Sequence, residues 1–377
     1  ASDVYKRQIQ EDNMGESSNN IAKLKVVGVG GAGGNAINDM IESNITDVEF
    51  IAVNTDAQDL ARSLTETRVL LGKGLGAGAD PEKARIAAKE SEEKIRDMLE
   101  DTDMLFITAG MGGGTGTGAS PIVAEIAKSM GILTVAVVTK PFEFEGPLKK
   151  KNAELGIENL KQNVDTLIAI PNEKLFELPN VSITLMTAFK EANSVLRVGI
   201  KGISDLITKQ GYVNLDFADV KTTMSNSGIA MLGFGEASGD GKAKTATEQA
   251  LNSPLLENSI EGARKVLLNI TAGGDIGLHE IREVSETVSH KTGNAGASLI
   301  WGVIIDPELE GTIRVSIIAT DFQDRYNKSL EGTVFGGIEN FENDPEKADG
   351  EDGKLLKSDS ENHPTQFVVP SFFSKDE

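Results

Sequence analysis

Between residues 24 and 172, short apolar runs rich in β-branched residues alternate with segments whose apolar positions recur at helical spacing. The runs 24–29, 50–53, 105–108, 134–138 and 166–170 predict strands, and 35–42, 81–99, 120–130 and 147–164 predict helices. Asp80 before Pro81 is a favourable helix start. Strands separated by helix-length segments predict a parallel α/β sheet of Rossmann type.

A single long helix is predicted over 185–208, where Leu185, Phe189, Leu196, Ile200, Ile203 and Ile207 form an apolar stripe. Beyond it, strand-like runs at 229–234, 264–270, 298–305 and 312–318 and helical patterns at 245–251 and 278–289 predict a smaller α+β domain. The expected organisation is an unstructured extension over 1–20, an α/β domain over 21–184, a central helix over 185–209 and an α+β domain over 210–322. An acidic linker over 323–364, too polar to bury a core, and a terminal peptide over 365–377 complete it. Within that peptide, Phe367-Val-Val-Pro-Ser-Phe-Phe373 is an apolar cluster of the kind that docks onto another protein.

The 377 residues are 39% hydrophobic, which suits ordinary cores. The formal charge of −21 argues against a nucleic-acid surface, because neutralising a phosphate backbone requires clustered Lys and Arg. The absence of cysteine removes thiolate catalysis and Cys-ligated metals. The three histidines, His279, His290 and His363, are too scattered for a His-based metal site or triad, and the first two read as helix-surface residues. With no signal-like start and no apolar run of spanning length, a cytoplasmic protein without membrane insertion is expected.

Glycines cluster at the ends of two predicted strands. Residues 109–119 read Ala-Gly-Met-Gly-Gly-Gly-Thr-Gly-Thr-Gly-Ala between a buried run and a helix. Removing side chains there lets several backbone N–H groups converge on one anion, and the helix adds its positive end. Thr115 and Thr117 contribute hydroxyl donors. Gly28-Val-Gly-Gly-Ala-Gly33 matches the dinucleotide fingerprint, which keeps an oxidoreductase open. The acidic residue expected after the next strand is instead Asn54-Thr55-Asp56, however, and two phosphate-facing loops suit one triphosphate better. No Gly-Lys pair is followed by Ser or Thr, so an ordinary P-loop is absent.

The segment Gly112-Gly-Gly-Thr-Gly-Thr-Gly118 is the signature of the tubulin superfamily, and the chain resembles its FtsZ branch from about residue 21 to 322. Residues 24–35, Asn54-Thr-Asp-Ala-Gln58, Phe144-Glu-Gly146, Ile170-Pro-Asn172 and Asn214-Leu-Asp-Phe-Ala-Asp219 carry the likeness in order and spacing. The resemblance implies GTP or GDP, with Gly31, Gly33 and Gly34 beside the phosphates and Asn35 reaching toward the guanine. Gly112, Gly113, Gly114, Thr115, Gly116, Thr117 and Gly118 would hold the β- and γ-phosphates, and Glu145 would accept from a ribose hydroxyl. Lys149 stands where the family has an arginine, keeping the charge and losing the planar fork. Phe189 would stack on the base, with Asn172 and Asn193 bonding its edge. Read without the resemblance, Phe189 fits the core stripe, Glu145 a helix start, Asn172 a turn and Asn193 a solvent-facing position.

By the same resemblance, Asn214, Asp216 and Asp219 polarise the water that attacks the γ-phosphate, although Asp219 alone reads as the cap of a helix through 220–224. Nucleotide and carboxylates would meet only between successive copies of the chain, so head-to-tail stacking builds open filaments, assembly activates hydrolysis, and Mg²⁺ is held mainly by phosphate oxygens and water. The resemblance further implies a division-ring role at the division site, and membrane-anchor and regulatory partners bound through residues 366–377.

Overall fold

A computed structural model describes residues 22–177, 184–209, 211, 213, 216–253, 256, 259–294 and 296–322. The predicted extension 1–20, linker 323–364, peptide 365–377 and Asn214 lie outside the described residues, as does the side chain of Leu185.

The first half runs β1 (Leu24–Val29), α1 (Gly30–Glu42), β2 (Glu49–Asn54), α2 (Ala57–Leu60), β3 (Thr67–Leu70), α3 (Pro81–Glu90), α4 (Glu92–Met98), β4 (Met104–Gly110), α5 (Thr115–Ser129), β5 (Leu133–Lys140), α6 (Pro147–Lys161) and β6 (Thr166–Pro171). It continues through α7 (Leu185–Thr208), α8 (Phe217–Met224) and β7 (Gly228–Ile229). The remainder is β8 (Met231–Ser238), α9 (Lys242–Leu251), β9 (Ala263–Ala272), α10 (Leu278–Thr292), β10 (Ser298–Ile305) and β11 (Thr312–Phe322).

Strands β3-β2-β1-β4-β5-β6-β7 form one sheet, parallel throughout. Alternating side chains feed two cores. Val26, Phe106, Val135, Val137 and Ile168 face α1 and α7, whereas Val27, Leu105, Ile107, Ala136 and Val138 face the other helical layer. Strands β10-β9-β11-β8 form a mixed sheet, with β10 and β9 parallel and the other pairs antiparallel. Its Leu232, Phe234, Leu267 and Ile318 join the core around α7, and its opposite face packs on α9 and α10. The buried Ala192, Val195, Leu196, Ile200 and Ile203 therefore make α7 a shared spine, each large apolar side chain contributing about 1.5–3 kcal/mol. His279 and His290 are exposed on α10.

Several elements depart from the sequence pattern. Helix 81–99 is two helices, interrupted at Ser91. The short β3 and α2 were not predicted. The helices after β1 and β4 begin at Gly30 and Thr115, inside the glycine segments rather than after them. Helical geometry prevails there over glycine's low propensity because packing holds the backbone.

Candidate nucleotide site

Strand order reverses between β1 and β4, which pair directly up to Val29 and Ala109. Both glycine segments therefore emerge side by side at the switch point of the sheet, where open α/β sheets bind ligands. Gly30 has φ +75° and Gly112 φ +105°, so each turn begins in a conformation that other residues resist.

The remaining glycines divide by what surrounds them. A Cβ at Gly33 would lie 2.5 Å from the Thr108 carbonyl oxygen, one at Gly110 2.7 Å from Ala32, and one at Gly116 2.5 Å from the Gly110 carbonyl. One at Gly118 would strike the Pro81 carbonyl, and one at Gly114 would lie 2.8 Å from Ala77. Gly33, Gly116 and Gly118 are small because backbones touch, and Gly110 and Gly114 because an alanine methyl packs against them. Gly34 and Gly113 have nothing within 4 Å of a built Cβ, and Gly31 meets only the Asp59 carboxylate, at 3.1 Å.

The two helix starts share a second property. Neither α1 nor α5 has a side-chain cap or an acidic residue in its first turn. Asp56, Asp80, Thr184 and Asp216 cap α2, α3, α7 and α8, whereas α6 and α9 likewise begin without a side-chain cap or an acidic first-turn residue. Uncapped N–H groups at the positive ends of two adjacent helices suit an anion. Thr55 and Thr115 share a hydroxyl–hydroxyl bond of 2.7 Å, tying the segment after β2 to the start of α5. Thr117 is buried, and its hydroxyl accepts from the Gly112 N–H at 2.8 Å, closing the loop on itself.

A cavity of about 150 Å³ opens beside α1, lined by Gly30, Gly31, Gly34, Asn35, Asn38, Asn54, Asp59, Arg62 and neighbours. Of these, Asn38, Asp59 and Arg62 went unnoticed in the sequence, since the four-residue α2 that carries Asp59 has no periodic signature. A larger cavity of about 350 Å³ lies between α7 and the mixed sheet and contains none of the predicted site residues.

At the rim, Glu145 accepts from the Phe142 N–H at 2.9 Å and pairs with Lys149 Nζ at 2.9 Å, so the local capping role is filled here. Phe189, 42% exposed, meets Phe142 edge-on with centroids 5.6 Å apart, and Phe144 at 6.4 Å. It belongs to an open aromatic cluster rather than to the core. Asn172 is 5% exposed, yet its Oδ1 is buried with no partner. An orphaned amide oxygen is costly unless a donor arrives. Asn193 lies half-buried one turn along α7 from Phe189.

Asp216 and Asp219 stand elsewhere. The 24 residues of α7 extend about 36 Å from its start, near the C-terminal end of β6, toward the opposite end of the molecule. The C-terminal end of α8 packs where β6 begins, with Thr166 Oγ1 donating to the Met224 carbonyl at 2.6 Å. The carboxylates at the α8 N-terminus thus belong to the pole opposite the glycine segments. Among the described residues, no group of three or more acidic or histidine side chains could hold a metal ion, and no helix is long and apolar enough to cross a membrane.

Two glycine-built helix starts at a sheet switch point, joined through a long helix to a mixed sheet, define a nucleotide-binding protein of tubulin type. Residues 23–180 match the model of the Tubulin/FtsZ family GTPase domain, and 228–323 that of the FtsZ family C-terminal domain. A structure described as an empty FtsZ dimer (M. jannaschii) is 48% identical, with TM-score 0.76, over 85% of this chain and 93% of that one. A tryptophan-to-tyrosine variant of FtsZ from M. jannaschii is 47% identical, with TM-score 0.77, over 85% and 96%. GDP-bound CetZ1 from Haloferax volcanii, 21% identical with TM-score 0.72 over 84% and 100%, shares the fold. The chain belongs to the FtsZ family of tubulin-like GTPases.

Proposed function

We propose that this GTPase polymerises head to tail and that each hydrolytic site is completed between two copies. The observation that carries this reading is the separation of the glycine segments from Asp216 and Asp219 at opposite poles of one chain. Carboxylates beside a triphosphate in the same subunit would be repelled by it, whereas carboxylates delivered by the next subunit act only on contact. A contact between unlike poles does not close, and filaments follow.

Gly31, Gly33, Gly34 and 112–118 bind the phosphates, with Thr115 oriented by Thr55. Asn35, Asn172 and Asn193 read the guanine, Phe189 stacks on it, and the orphaned Asn172 Oδ1 awaits a donor from the base edge. Glu145 turns to the ribose when Lys149 leaves it for phosphate. From the neighbouring copy, Asn214, Asp216 and Asp219 orient the water that attacks the γ-phosphate. Mg²⁺, held by phosphate oxygens and water, would supply charge neutralisation.

The dimeric M. jannaschii relative supports self-association. Within that reading, the domain limits are those expected from the sequence, filaments form the division ring at the division site, and residues 366–377 bind membrane anchors and regulators. Steady-state GTP hydrolysis per subunit, measured against protein concentration, tests the proposal. Specific activity should rise steeply from dilute to concentrated protein, and a flat dependence would refute it.

A further inference from the structure

The outer face of α6 carries apolar side chains in open solvent. Ala153, Gly156 and Leu160 turn to the core, whereas Leu148 is 69% and Leu155 58% exposed. Seven residues apart, the two leucines share one face of the helix, about 10 Å from end to end, with Lys151 between them. Lys149, Lys150 and Lys151 are the one run of three basic residues in a sequence with 58 acidic and 37 basic side chains. Of the three, only Lys149 has an ion-pair partner among the described residues, Glu145. The run also stands at the positive end of the helix, where no acidic first-turn residue offsets it, so this end favours an anionic partner.

Residues 367–373 have the complementary chemistry. Phe367-Val-Val-Pro-Ser-Phe-Phe373 is apolar, with Asp359 and Glu361 before it and Asp376 and Glu377 after it. The chain also leaves the described core close to α6. Thr320, near the end of β11, donates through Oγ1 to the Thr223 carbonyl at 3.3 Å, and the adjacent Met224 carbonyl accepts from Thr166, which begins the strand after α6. Forty-four residues, 323–366, then precede the apolar cluster. An unextended coil of that length spans about 36 Å and α6 measures about 22 Å, so the cluster can reach both leucines at an effective concentration of about millimolar.

We propose that residues 367–373 dock on the face of α6 formed by Leu148 and Leu155 in the same chain, with the flanking carboxylates against Lys150 and Lys151. Docking removes the apolar surface of both partners from water, and the charge pairing sets its orientation. The contact is autoinhibitory, because a docked cluster cannot be offered to another protein. A binding partner of the tail must displace it.

Disulfide trapping in the full chain tests this, since the sequence has no cysteine of its own. Asn159 is exposed on α6 one turn beyond Leu155, and Ser374 follows the apolar cluster. Oxidation of the chain carrying Asn159→Cys and Ser374→Cys should join the two positions at a rate independent of dilution. That rate should be about tenfold faster than in the chain carrying Ser289→Cys and Ser374→Cys. Ser289 is exposed on α10, whose end adjoins Ala263, the strand partner of Phe322. Leu148→Glu with Leu155→Glu should lower the first rate to that of the α10 pair, and Lys150→Glu with Lys151→Glu should slow it about threefold or more. Circular dichroism confirms that these surface variants are folded. Equal rates for the two pairs overturn the docking, as does a rate that survives loss of both leucines. A rate untouched by the lysine changes overturns the charge pairing, and a cross-link formed only between chains overturns the same-chain occupant.

Discussion

Asp216 and Asp219 cap one another: Asp216 Oδ1 accepts from the Asp219 N–H at 2.8 Å, and Asp219 Oδ2 faces back to the Asp216 N–H at 3.4 Å. The reciprocal box starts α8 and fixes the direction in which both carboxylates leave the surface. A capping role and a hydrolytic role can therefore be separated by substitution. Asp216→Ala should lose about 1 kcal/mol of stability together with turnover, whereas Asp216→Asn, still a good cap, should lose turnover alone. Denaturant titration and GTPase assays read the two effects, and GTP affinity should be unchanged in both variants.

The glycines make a second separation. Gly118→Ala drives a Cβ into the Pro81 carbonyl and should cost about 2 kcal/mol or more in stability. Gly113→Ala enters open space, so its stability should stay within about 0.5–1 kcal/mol of wild type while nucleotide affinity falls. Calorimetric unfolding and nucleotide titration of the pair distinguish a packing glycine from a ligand-facing one.

The sequence pattern located the parallel sheet, the long helix and the mixed sheet because their runs are long and periodic. Strands 24–29 and 298–305 and helix 185–208 have the same limits in the structure. What it missed follows from physics that periodicity does not carry. Six glycines in a row of eleven residues look like loop, although Thr115 onward is helix, because the touching backbones of Gly110 and Gly116 are a tertiary contact. Asp59 and the bond between Thr55 and Thr115 became visible only when the segment after β2 folded against α1 and α5. Phe189 fitted a core stripe, and only its position at the open end of α7, beside Phe142 and Phe144, leaves its ring accessible. The pole-to-pole placement of Asp216, implied by the family resemblance, cannot be read from periodicity without the direction of α7.

Thr55 is proposed to act through Thr115. Thr55→Val should leave the Thr115 hydroxyl unanchored and lower nucleotide affinity by about three- to tenfold, at a stability cost of about 1 kcal/mol. A Thr115→Val chain and the double variant complete a cycle. Affinity losses that add independently would show that the two hydroxyls are not coupled.

Glu191, half-buried on α7 near Asp39, Lys190 and Arg197, has its carboxyl pushed up from the ordinary value by desolvation, and its Oε2 has no partner. The folded state then holds a proton that the unfolded state releases, so stability falls as pH rises from the unfolded value toward the raised folded one. Glu191→Gln should raise the thermal midpoint at pH 7, and the gain should vanish below about pH 4, where both states are protonated. An equal gain at both pH values would contradict this origin.

The central claim is that one copy brings the nucleotide and the next brings the carboxylates. Gly34→Asp fills open space with negative charge and should abolish nucleotide binding without unfolding the chain. The chain carrying both Asp216→Asn and Asp219→Asn should bind GTP and fail to hydrolyse it. GTP hydrolysis by an equimolar mixture of these two chains, compared with each alone, is the most direct measurement. Near-silence of each alone and recovery on mixing are predicted, and a mixture no more active than its components would contradict the account.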